Sequence, residues 1–154
     1  MSAFANTTLG LIDVQKVIVS VSEGKKVMKQ LEKEFNKKKS ELQKEEEGIK
    51  KLQADYQKQS LVLSDDAKQK KQREIQESIM QLQQKTMGYQ KEIQEMERKL
   101  KQPIVEKIEK IVEEVSKAEG VAMTFEAGAS PVLYAESKKD LTEQVIKAYD
   151  KKFK

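Results

Sequence analysis

At 154 residues, with 36% charged and only 37% apolar side chains, the chain is too polar to bury one large core, so part of its stability is expected from self-association. With no Cys and no His it lacks a disulfide framework, a thiolate nucleophile, imidazole acid–base chemistry and the commonest metal ligand. No GxxxxGK(S/T) or GxGxxG phosphate cradle occurs either, so the expectation is no enzyme and no cofactor.

Met1–Thr8 has neither the basic start nor the long apolar stretch of a signal peptide, and no apolar run approaches the ~20 residues of a membrane span. Leu9–Val21, LGLIDVQKVIVSV, is β-branched and apolar and predicts a buried strand. Ser20 and Glu23 then have capping-box spacing, which predicts a helix from about Val21 to Gln59. At ~1.5 Å per residue that helix is far longer than an ordinary globular one.

Ser64-Asp65-Asp66 marks a second helix start, a side-chain cap followed by two acids at the positive end of the helix dipole. From there Ile75, Ile79, Leu82, Thr86, Tyr89, Ile93, Met96 and Leu100 step alternately by four and three, which is heptad spacing. In an antiparallel hairpin, facing residues have a constant sum of position numbers. Met28 with Leu100, Phe35 with Ile93, Leu42 with Thr86 and Ile49 with Ile79 all sum to 128, and half of that falls on Ser64. Register and cap therefore place the turn at one spot. Half of the outgoing seam is polar at Lys38, Glu45 and Gln59, which predicts a weak, flexible hairpin. Gly48 and Gly88 each cost roughly 1 kcal/mol relative to Ala in a helix and do not face one another; each either permits bending or is merely tolerated.

Pro103 predicts a kink where the hairpin leaves its base, with Ile104, Ile108, Ile111 and Val115 continuing as a body helix to a stop at Gly120. Two short strands are expected at about Val121–Glu126 and Pro131–Glu136, joined by Ala127-Gly128-Ala129-Ser130. Asp140 and Glu143 form a second capping pair before a short helix bearing Leu141, Val145, Ile146 and Tyr149. The fold class is thus α+β, a small β-rich body (residues 9–22 with 103–154) and a long antiparallel coiled-coil hairpin arm (23–102) with its tip near 60–66. So small a sheet leaves edges that a neighbouring subunit would cover.

The LGLIDVQKVIVSVSEGKK stretch, the charged hairpin and the closing DLTEQVIKAYDKK together resemble the periplasmic chaperones of the Skp/OmpH (seventeen-kilodalton protein) type, over nearly the whole chain. The resemblance implies a homotrimer whose bodies join in a hub. It further implies arms enclosing a cavity that holds unfolded outer-membrane proteins without ATP, in the periplasm, with a signal peptide already removed. It makes an anionic membrane surface or lipopolysaccharide a further partner. The trimer body would use Leu11, Ile12, Val14, Met123, Phe125, Val132, Leu133, Ile108 and Ile111.

Client- or membrane-facing candidates lie along the arm. Lys68, Lys70, Lys71 and Arg73 form a basic segment beside the tip, either a solvated face or a lure for anionic partners. Residues 23–102 carry 20 Lys/Arg against 15 Asp/Glu, leaving −1 for the rest of a chain whose net charge is +4, so the positive charge belongs to the arm. Leu61, Val62 and Leu63 either close the hairpin end or touch clients. Phe35, Ile49, Tyr56, Ile79 and Tyr89 either pack along the seam or offer apolar patches. Consecutive Glu45-Glu46-Glu47 point ~100° apart on a helix and cannot converge on one metal ion. Nucleic acid is not expected, because the arginines are only Arg73 and Arg98 and acids are interleaved throughout. The competing functions are a structural or adaptor coiled coil that binds no client, and a prefoldin-like chaperone. In the latter the strands would lie between the helices rather than before and after them.

Overall fold

The computed structural model describes residues 8–129 and 132–153. Its elements are β1 (Leu9–Ile12), α1 (Val14–Ser20), α2 (Ser22–Gln59), α3 (Asp65–Ala118), β2 (Met123–Glu126), β3 (Lys138–Asp140) and α4 (Thr142–Lys152). By contact the chain divides into two compact units, Met1–Gln30 with Glu97–Lys154, and Leu31–Met96. The helices α2 and α3 run through both.

The single strand expected over Leu9–Val21 stops after four residues. Asp13 ends it, because its carboxylate accepts the Lys16 N–H at 2.8 Å and caps α1. Val17, Ile18 and Val21 are buried while Val19 is 47% exposed, a helical rather than an alternating pattern. The cap and the spacing override the β propensity of these side chains.

The expected Ser20/Glu23 capping box does not form. Val21 takes an extended backbone between the two helices, and the first N–H of α2, that of Ser22, donates to Asp150 Oδ1 at 2.8 Å. Ser22 Oγ donates to Asp150 Oδ2 at 3.2 Å. The cap thus comes from α4, at the other end of the chain. Glu23 turns away from its own helix end and receives Lys107 Nζ on both oxygens at 2.8 Å and the Tyr149 hydroxyl at 2.6 Å.

The hairpin turn falls where the register places it, with Ser64 Oγ accepting the Ala67 N–H at 3.3 Å as α3 begins. Pro103, however, does not end or separate α3, which continues to Ala118. A helix-interior proline costs about 3 kcal/mol, but the four residues on its core side, Ile104, Ile108, Ile111 and Val115, are all buried. At about 1.5–3 kcal/mol each, their packing outweighs the missing bond. Gly120 ends the helix as expected, at φ 67°, a conformation in which a side chain would be strained.

The sheet order is β2-β1-β3 with every pair parallel, Leu9 lying opposite both Met123 and Lys138. The two strands that follow α3 therefore do not pair with each other, because β1 lies between them. The second strand forms at Lys138–Asp140 rather than at 131–136; Ser130 and Pro131 lie outside the described residues, and 132–135 is irregular. Those four residues line a recess of about 120 Å³ with Leu9 and Leu11, so the chain between β2 and β3 passes over one face of β1. Gly10 and Ile12 point to the other face and are buried. There α1, the C-terminal part of α3 and α4 supply Val17, Ile108, Ile111, Leu141, Val145 and Tyr149 to a common core.

The second expected capping box is also replaced. Asp140 Oδ1 accepts the Thr142 N–H at 2.9 Å, whereas Glu143 pairs with Lys16 at 2.8 Å. Thr142 Oγ1 in turn accepts the Asp13 N–H at 3.0 Å, joining the start of α4 to the end of β1.

Candidate functional site

The hairpin unit, Leu31–Met96, is held by a seam that is dry at few points. Leu31 and Ile49 are each 8% exposed. The polar seam positions are not bare: Lys38 pairs with Glu92 across the two helices, and Glu45 pairs with Lys85. Lys38 Nζ also sits 3.9 Å from the centre of the Tyr89 ring, whose hydroxyl donates to Glu41. These contacts set the charges. The bond to Glu92 raises the Lys38 pKa and the bond to Glu45 raises that of Lys85. Tyr89 lowers that of Glu41, and Glu41 raises that of Tyr89. One edge of the seam is therefore an ionic ladder rather than a gap. The third polar position, Gln59, is exposed at the end of α2.

Elsewhere the seam opens into recesses. Phe35 is 54% exposed and lines a groove of about 420 Å³ together with Leu42, Thr86, Tyr89 and Ile93. A second recess of about 430 Å³ lies at Leu82, Gln83, Thr86 and Met87. A third, of about 540 Å³, lies at Tyr56 and Ile75, where Gln72 Nε2 donates to the Tyr56 hydroxyl at 2.9 Å.

The candidates divide accordingly. Phe35, Tyr56 and Tyr89 line these recesses, and Ile79 is half-buried beside them. Ile49 is a packed seam residue with little accessible surface, a correction that follows from its burial. At the tip Leu61 is 94% and Val62 84% exposed, so neither closes the hairpin end; Leu63 is half-buried. Within the basic segment Lys68 lies 3.8 Å from Asp65 and Lys71 3.8 Å from Glu74, so nearby acids offset part of the expected lure. Glu45 and Glu46 are engaged by Lys85 and Lys50.

In the body, Ile12, Ile108 and Ile111 are buried within the chain's own core and present nothing to a neighbour. Leu11, Val14, Phe125 and Val132 are half-buried, whereas Met123 is 59% exposed and Leu133 fully so. Sequence reasoning missed Met80 and Met87, which are 55% and 63% exposed on α3. Their seven-residue spacing, one step off the seam, was the available signal.

An antiparallel helical hairpin whose helices continue into a body with a three-stranded parallel sheet defines an arm-bearing α+β class. Residues 8–149 match the family of outer membrane proteins (OmpH-like), and the chain belongs to that family. Its fold is similar to the crystal structure of a protein described as an OmpH-like outer membrane chaperone from Caulobacter crescentus, with a TM-score of 0.77 and 18% identity. That likeness covers 99% of this chain and 88% of the other. No curated protein matches the chain by sequence. Among the described residues no helix is long and apolar enough to cross a membrane.

Proposed function

We propose that the protein is a periplasmic holdase chaperone that binds unfolded outer-membrane polypeptides and keeps them from aggregating without ATP. Family membership supports the chaperone role. The observation that carries the mechanism is the row of large apolar side chains left in water along the hairpin: Phe35, Met80, Met87, Leu61 and Val62. A helical spacer would present charged side chains there. Exposed apolar groups on a solvated scaffold give many weak contacts, which suits capture and release of chains of many sequences.

In this proposal three copies assemble through their bodies and the arms surround the client. The outer edges of β2 and β3 support assembly, since each leaves a row of backbone groups without a strand partner among the described residues. Exposed Met123, Leu133 and Tyr134 lie on the same strand and crossover. The net positive arm supports attraction to acidic clients and to anionic membrane or lipopolysaccharide surfaces.

Light scattering of a urea-diluted β-barrel polypeptide, with and without this protein and without nucleotide, tests the proposal. Suppression at equimolar trimer is expected. Unchanged aggregation at low salt would leave the adaptor coiled coil as the better account. Sedimentation equilibrium that returned a stable folded monomer at micromolar concentration would remove the trimer.

A further inference from the structure

The two edges of the hairpin seam differ in chemistry. One carries the ladder of Lys38–Glu92, Tyr89–Glu41 and Lys85–Glu45. On the other, α3 presents Gln76, Met80, Gln83, Met87, Gln90 and Gln94, all exposed and none charged, in a chain that is 36% charged. These residues step alternately by four and three, so they form one stripe beside the seam. Each of the three recesses has a glutamine of this stripe in its wall: Gln76 in the one at Tyr56, Gln83 in the one at Leu82, and Gln90 in the one at Phe35. The recesses therefore lie in a row along this edge.

We infer that this uncharged edge of α3 is the client-binding face of the arm, and that its occupant is an extended, weakly charged segment of unfolded polypeptide. The inference rests on the chaperone reading above and adds the recognition chemistry. A glutamine carboxamide both donates and accepts, so it matches a peptide group, which does the same, and needs no charge on the client. Methionine thioethers adapt to apolar side chains of differing shape. Seven helical residues advance about 10.5 Å, which is the reach of about three residues of an extended chain. One segment of about ten residues thus spans all three recesses. On the α2 side the Phe35 recess carries Lys38, Lys39 and Glu46; Lys38 is paired with Glu92, and Lys39 and Glu46 are of opposite charge, so the rim has no strong preferred sign. Binding here is held by amides and apolar contact, so it persists at salt concentrations that screen the arm's net charge.

The absence of native cysteine makes a direct test available. Single cysteines at Gln83, Met87 and Gln90 on this edge, and at Lys85 and Glu92 on the ladder edge, are labelled with benzophenone. They are then irradiated with a urea-diluted β-barrel polypeptide at low and high salt. Gln83, Met87, Gln90 and Glu92 are exposed and Lys85 is half-buried, and circular dichroism checks that each variant keeps its helix content. Crosslinks to the polypeptide from Gln83→Cys, Met87→Cys and Gln90→Cys, several-fold above those from Lys85→Cys and Glu92→Cys and retained at high salt, are expected. The triple variant Gln83→Glu/Gln90→Glu/Gln94→Glu is expected to lower client affinity at least tenfold. Equal or stronger crosslinking from the ladder edge, or crosslinks only between copies of this chain, would overturn the inference. If those results came from a protein that still suppressed aggregation, the chaperone function would stand. If the unlabelled protein suppressed no aggregation, function and face would fall together.

Discussion

Tyr149 donates its hydroxyl to Glu23 at 2.6 Å, joining the last helix to the first turn of the outgoing arm helix across 126 residues of sequence. Lys107 from α3 completes the junction on the same carboxylate. Burial opposes ionisation of Glu23, but the bonds from Lys107 and Tyr149 outweigh it and hold the pKa below the ordinary 4.5. Burial first, and then the Glu23 carboxylate, push the Tyr149 pKa far above the ordinary 10.0.

The two shifts act at opposite ends of the pH scale. A lowered carboxylate pKa means that the unfolded chain takes up the proton first, so this contribution is present at neutral pH and is lost as pH falls from about 4.5 through the folded value. A raised tyrosine pKa gives a contribution intact below pH 10 and lost as pH rises beyond it. Thermal midpoints measured from pH 3 to 11 should show Glu23→Gln flattening the acid limb and Tyr149→Phe flattening the alkaline one. At neutral pH Tyr149→Phe should cost about 1.5–3 kcal/mol, the range for a hydrogen bond to a charged group. Equal limbs in wild type and variants would show that the junction does not set the pH response.

Gly24 separates from the arm glycines. A Cβ there would lie 1.7 Å from the Ile18 carbonyl oxygen, at the tight join of α1 and α2, whereas Gly48 and Gly88 have open space. Gly24→Ala should destabilise the body at or above the upper end of about 1–3 kcal/mol. Gly48→Ala and Gly88→Ala should each stabilise their helix by about 1 kcal/mol. Urea unfolding followed by circular dichroism distinguishes the two signs.

Much of the hairpin was legible because its signals are local and periodic. The Ser64 cap needs only neighbouring residues, and the 128 sum needs only two heptad stripes, each read along its own helix. What was not legible is long-range: Asp150 capping Ser22, Glu23 engaged by Tyr149, and β3 crossing to the far side of β1. Ser20/Glu23 and Asp140/Glu143 have the right spacing for capping boxes, yet the two glutamates are taken by partners elsewhere in the fold, Glu23 by Lys107 and Tyr149 and Glu143 by Lys16. The recess-lining role of Phe35, Tyr56 and Tyr89 was visible as an alternative, but only burial separates them from Ile49.

Replacing the ladder with apolar residues tests what it does. Lys38→Leu with Glu45→Leu restores an apolar heptad, and the released Glu92 and Lys85 remain solvated at small cost, since exposed ion pairs contribute about 0–1 kcal/mol. Amide exchange over residues 31–96 should slow in this variant. Faster exchange would show that the ladder stabilises the hairpin more than a dry seam would.

Charge reversal at the tip should be unequal. Lys68 and Lys71 have acids 3.8 Å away, and no ion pair is found for Lys70 or Arg73 among the described residues. Lys70→Glu with Arg73→Glu should therefore slow capture of an acidic client more than Lys68→Glu with Lys71→Glu, chiefly in the association rate. Stopped-flow binding at two salt concentrations measures this, and the difference should shrink as salt rises. An effect confined to dissociation would count against electrostatic steering.

The parallel sheet imposes an order on the birth of the molecule. Its central strand, Leu9–Ile12, is made first, yet both strands that flank it follow the whole hairpin, and Asp13 meets Thr142 only 129 residues later. A chain emerging from its N-terminus can wind its two long helices against each other while β1 still has nothing to pair with. Closing the sheet must await its last strand, Lys138–Asp140, and long loops of this kind are slow to shut. A nascent or truncated chain that lacks β3 and α4 therefore has its arm but an unfinished sheet and core. The last strand and helix together act as the latch that turns a helical hairpin into a finished protein.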